Sequence, residues 1–287
     1  MNRIKTRINR ETNYVYHMLS VAKCGYDNAY GEKHRALHDA ADLSVLKARE
    51  SLITVAGGEH NGALYWPMVA IPARGEQCAD AYYAELCGIF QGRAARPEIF
   101  PFGLSERYAE HREAVVELSR VMLRNYGVYV NRVWEGAQRE LAPYAAEIGR
   151  LFEKSGFTEK AERLVGQDLG TDAFCATFCN AIASGAEGVD IADDQDVFGI
   201  DRSFEDAFYF IAHEYIIFLL KRALTGTEAF QSIGAWARTE GLAEFYLNCA
   251  LGKGHLFRAQ EKYAAHYRRL FEANGALSAR ELFSAEI

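Results

Sequence analysis

Phe208-Tyr-Phe-Ile-Ala-His213-Glu214-Tyr-Ile-Ile217-Phe-Leu-Leu220 is apolar throughout except for one histidine and one glutamate at its centre. A helix written this way is buried on nearly every side. An unpaired polar group in such surroundings costs roughly 2–7 kcal/mol, and an isolated charge far more. His213 and Glu214 therefore require partners from elsewhere in the chain. The ends of the helix are also legible. Ser203, three residues before Asp206, fits an N-terminal cap. Lys221 and Arg222 suit the C-terminal dipole, and Gly226 can close the last turn, which predicts a helix over 203–224.

The rest of the chain supplies a setting. Its 287 residues are enough for one large core or two closely packed lobes. With 49% hydrophobic and 25% charged residues it has ordinary globular composition. A formal charge of −7 argues against a nucleic-acid partner, because phosphate neutralisation needs a basic face. The 208–220 stretch is too short to span a bilayer and carries His213 and Glu214, so no membrane partner is expected. Met1-Asn2-Arg3-Ile4-Lys5 leads into polar residues rather than a signal-type apolar run, so the cytoplasm is the expected, default location. The six cysteines form no CxxC pair and read as reduced thiols.

Working outward from the His-Glu helix, periodicity predicts helices over 11–24, 31–50, 105–125, 131–154, 233–251, 255–273 and 278–286. Gly127 is expected to separate the third of these from the fourth. Short strands are expected over 2–9 and at Leu52–Ala56, the latter stopping at Gly57-Gly58. A further apolar stretch, Ala63–Ile71, stops at Pro72. The run 174–183 reads as a buried strand, followed by a Gly-containing acidic connection over 187–196. The fold class is α+β and helix-dominated. The expected division is a mostly helical lobe over 1–168 and a second lobe over 169–287.

Downstream of the helix stands Trp236-Ala-Arg-Thr-Glu240-Gly241-Leu242-Ala243-Glu244. Together with His213-Glu214 it resembles the two active-site helices of the gluzincin clan, the thermolysin-like and aminopeptidase-like zinc peptidases. The resemblance covers about residues 170–250. It implies a zincin-like region with a small sheet beside the active-site helix. It further implies His213 and Glu240 as metal ligands and Glu214 as general base on a metal-bound water.

The family pattern HExxH places a second histidine one turn after the first, and here that position is Ile217. An aliphatic side chain cannot bind zinc, and catalytic zinc normally has three protein ligands. The expectation is a degenerate, catalytically inactive metallopeptidase-like protein without a bound metal, holding a peptide or protein ligand in the former cleft. One alternative is an active zinc peptidase with a substitute second ligand drawn from His255, Tyr263, His266 or Tyr267. The other is a structural helical protein whose resemblance is accidental. Glu240 could instead be a buried carboxylate paired with His213 or an arginine, and Glu244 an exposed or outer carboxylate.

Three smaller features carry weaker signals. His34 and His38 are spaced to clamp a metal on a helix, but Glu32, Lys33 and Arg35 mark that face as solvated. His60 sits in a Gly-rich turn sequence. Cys175 and Cys179 lack a basic neighbour in sequence to lower a thiol pKa, which disfavours a nucleophilic role.

Overall fold

The computed structural model describes residues 2–56, 60–93, 104–182, 189–232, 234–252, 261–275 and 277–285. The chain runs through β1 (Ile4–Ile8), α1 (Arg10–Val21), α2 (Ala29–His34), α3 (Ala40–Ala48), α4 (Glu50–Ile53), β2 (Val55–Ala56) and β3 (His60–Asn61). It continues with α5 (Ile71–Ala73), α6 (Ala79–Phe90), α7 (Leu104–Arg107), α8 (Arg112–Arg132), α9 (Trp134–Ser155) and α10 (Phe157–Val165). Then come β4 (Phe174–Phe178), β5 (Val189–Ala192), β6 (Gln195–Phe198), α11 (Phe204–Leu224), α12 (Ala235–Leu251), α13 (Glu261–Asn274) and α14 (Ala279–Ser284). The protein is α+β and helix-dominated, with a four-stranded sheet in the order β1-β4-β6-β5. Strands β5 and β6 form an antiparallel hairpin, and β2 with β3 a separate two-stranded one.

Several local expectations change. Helix α8 passes through Gly127 unbroken, and the division from α9 falls at Val133. The 31–50 stretch breaks into α2, a 3₁₀ turn Arg35–Leu37 and α3. Asp39 ends the interruption by capping α3, accepting from the Ala41 backbone N–H at 2.7 Å. Leu52 and Ile53 finish α4 rather than begin a strand. The acidic connection after β4 contains the β5–β6 hairpin. Residues Trp66–Ala70 wind as a π-helical turn into α5.

Contact density divides the chain into two units that interleave in sequence. One comprises Arg7–Ala145 and Thr177–Asp201. Its centre is α1, in which every residue from Glu11 to Val21 is buried. Asn9 caps this helix by accepting from the Glu11 and Thr12 backbone N–H groups. Tyr14 and Met18 of α1 pack with Leu118 and Met122 of α8 and with Tyr82 and Leu86 of α6 in a single core. Helix α2 closes on α1 through Gly31, where an added Cβ would meet the Ser20 carbonyl at 2.4 Å.

The other unit comprises Met1–Thr6, Ala146–Ala176 and Arg202–Ile287. Helix α11 is its core element: between Phe210 and Leu220 every residue but Glu214 is buried, with Ile211, Tyr215, Ile216, Leu219 and Leu220 fully buried. Ser203 caps it by accepting from the Asp206 backbone N–H, as the sequence predicts. Helix α12 packs on α11, α10 and α13. At the opening of β4, Phe174 lies against Tyr215 and Phe218 of α11, with ring centroids 6.3 and 5.8 Å apart. Among the described residues no helix is long and apolar enough to cross a membrane.

Candidate functional site

Helix α11 delivers His213 into a fully buried position. Helix α12 brings two carboxylates one turn apart, Glu240 and Glu244, to opposite nitrogens of its ring. Nε2 of His213 lies 2.9 Å from Glu240 Oε2, and Nδ1 lies 3.5 Å from Glu244 Oε1. Glu244 is itself buried, so the reading of it as exposed gives way. Burial acts against charge on His213. The Glu240 hydrogen bond and the negative charges of Glu214, Glu240 and Glu244 outweigh that penalty, and its pKa is raised. The half-buried Glu214 faces the same ring as a charge.

Ile217 stands one turn beyond His213, only 2% exposed and packed as a core residue. A catalytic zinc would need three donors at about 2.0–2.2 Å. Here two of the atoms that would face the ion face each other directly, and the third position is aliphatic. These residues do not fit a three-ligand catalytic zinc. Among the described residues, no group of three or more His, Cys, Asp or Glu side chains could hold a metal ion.

Of the substitute ligands considered, His255 lies outside the described residues. Tyr263, His266 and Tyr267 all belong to α13. Tyr263 lies against Gly241, where an added Cβ would meet the Tyr263 Cβ at 2.2 Å. The His266 and Tyr267 rings neighbour each other, and Arg238 of α12 stacks on Phe283. The side chain of His60 also lies outside what is described.

A second buried histidine site, in the other unit, was not foreseen. His38 does not clamp an ion with His34 along a helix, because the 3₁₀ turn intervenes, and it is buried rather than solvated. Its Nε2 meets Nε2 of fully buried His17 at 2.8 Å. Tyr30 OH lies 2.8 Å from His17 Nδ1, and Asn125 Oδ1 lies 2.8 Å from His38 Nδ1. Asn125 donates through Nδ2 to Asp42 and to the Val121 carbonyl, and Asp42 is paired with Arg124. The available signal was His17 inside the apolar run Tyr14–Leu19, the same kind of signal that marks His213.

Two clefts of this unit are edged by cations, several of them paired with acids. One cleft, about 420 Å³, is bordered by Lys23, paired with Asp27 and Glu32, and by Lys47, paired with Glu50. The other, about 610 Å³, is bordered by Arg49, paired with Glu117, and by Arg124, paired with Asp42. The six cysteines are free, and burial pushes the Cys179 thiol up to about 12, away from nucleophilic use.

The chain matches no protein-family model, no curated protein and no solved structure.

Proposed function

We propose that this protein is a degenerate, metallopeptidase-like binding protein that holds a peptide or protein segment without hydrolysing it. The observation that carries this reading is the direct His213–Glu240 hydrogen bond of 2.9 Å, beside a buried Ile217 where the family pattern has a ligand. Support comes from the sheet residue Phe174 packed on α11, an arrangement that an accidental likeness between two helices does not require. Glu244 at His213 Nδ1 adds to it, since ligating histidines are commonly held by a carboxylate on the other ring nitrogen. In this reading the outer half of the arrangement persists and the inner half has closed on itself.

The test uses the full chain and a fluorescein-labelled mixture of peptides from digested casein. Binding measured by anisotropy, unchanged by EDTA and without cleavage by mass spectrometry, supports the proposal. Cleavage abolished by EDTA and by Glu214→Gln would make the protein an active hydrolase with a substitute ligand. Neither binding nor cleavage would favour a structural role.

A further inference from the structure

The hydrogen-bond chain around His17 and His38 has only one consistent direction. Asn125 spends both Nδ2 hydrogens on Asp42 and the Val121 carbonyl, so its Oδ1 must accept. His38 therefore carries its hydrogen on Nδ1, and in the neutral ring Nε2 is a bare acceptor. His17 must then donate from Nε2, which leaves its own Nδ1 to accept from the Tyr30 hydroxyl. With both rings neutral, the chain runs from Tyr30 to His17 to His38 to Asn125 to Asp42. One added proton on His38 Nε2 would force His17 to move its hydrogen from Nε2 to Nδ1 and the Tyr30 hydroxyl to turn from donor to acceptor.

We propose that the His17–His38 pair is an acid-sensitive latch, which holds the 29–48 segment on α1 and α8 and releases it when His38 takes up a proton. Of the two rings, His38 is the one that reaches solvent. It lines the cleft of about 420 Å³, whereas His17 is fully enclosed. The partners span the segment and its supports: Tyr30 lies on α2, Asp42 on α3, His17 on α1 and Asn125 on α8. Breaking the central contact removes the link that joins both supports through the segment, leaving Asp42–Arg124 on α8 and the Gly31 contact on α1.

The surroundings keep the latch neutral at rest. On His17, burial, then His38 and then His34 push the pKa well below the ordinary histidine value. From α2, Tyr30 and His34 face it, with Lys33 and Glu140 acting on His34 from outside. Tyr129 of α8 lies against its ring at 4.8 Å. For His38, burial lowers the pKa, opposed by the Asn125 hydrogen bond and by Asp42. Arg124 neutralises Asp42, and Lys23, Arg35 and Lys47 line the cleft that His38 reaches. The sign follows: a histidine held low in the closed state binds more protons once opened. The latch is therefore firm above the ordinary histidine range and weakens as pH falls below it.

Two measurements on the full-length protein test this. Nitrogen-15 imidazole spectra at pH 7.5 should show His17 neutral with hydrogen on Nε2 and His38 neutral with hydrogen on Nδ1. The same tautomer on both rings, or either ring charged, overturns the proposal. Hydrogen exchange between pH 7.5 and 5, corrected for intrinsic rates, should show opening confined to residues 29–48. The opening constant should rise by about tenfold per pH unit for each proton taken up. His38→Gln should weaken that pH dependence, leaving the part that His17 contributes. Opening that is independent of pH, uniform across the unit, or equally steep in His38→Gln would overturn the latch.

Discussion

Glu244 Oε1 lies 3.5 Å from Nδ1 of His213, while Glu240 Oε2 lies 2.9 Å from Nε2 of the same ring. One buried imidazole is thus held between two carboxylates of one helix. This joins α11 to α12 electrostatically as well as by packing.

Glu244→Ala should cost roughly 1–3 kcal/mol of folding stability, the usual result of stripping a buried polar group of its partner. Glu244→Gln, which keeps an acceptor, should cost less. Urea unfolding at pH 7 measures both. Equal losses would mean that packing rather than the contact with His213 sets the cost.

Replacing Ile217 by His should restore the missing donor one turn from His213. Ile217→His is expected to retain about one zinc per chain after dialysis against a weak chelator, at some cost in stability because Ile217 is a core residue. If a folded Ile217→His retains none, α11 and α12 are not placed as in a zinc peptidase.

Gly241→Ala should destabilise the packing of α12 on α13. The added methyl would fall 2.2 Å from Tyr263 Cβ, a part of the side chain that cannot swing away. Overpacking of this kind costs about 1–3 kcal/mol. Thermal unfolding should show a lowered Tm. An unchanged Tm would mean that the helices separate freely there.

The Asp42–Arg124 pair predicts an acid dependence of its own. Arg124's hydrogen bond holds the Asp42 carboxyl below its ordinary value, against burial, and Asn125 adds to the effect. A depressed carboxyl contributes stability above its unfolded pKa and loses it as pH falls through the folded value. Asp42→Asn should flatten the stability curve below the ordinary aspartate value of about 4. A variant that keeps the wild-type slope there would show that Asp42 is not the titrating group.

The helices of both units could be read from sequence where burial repeats with helical period. The α11 boundaries, its cap and the burial of its middle follow from Ser203 to Arg222 without reference to the fold. The pairing of His213 with Glu240 followed from a two-part motif, because both helices carry their polar residues against an apolar background. What could not be read depends on long-range encounters. Gly127 does not break α8: it lies on the exposed side, while Asn125, Tyr126 and Tyr129 around it are buried, and one glycine costs a helix interior only about 1 kcal/mol. His38 meets His17, twenty-one positions earlier, through a turn that no periodicity marks. Asn125 and Asp42 gain their roles only once α3 lies against α8.

Zinc content is the measurement that bears most directly on the central claim. The purified wild-type chain would be dialysed against a weak chelator, then assayed by elemental analysis before and after zinc is added back. The account predicts no retained zinc in either sample, because His213 and Glu240 bond each other and Ile217 fills the third position. About one tightly held zinc per chain, lost in His213→Ala, would contradict it and make the protein a metal enzyme with a substitute ligand.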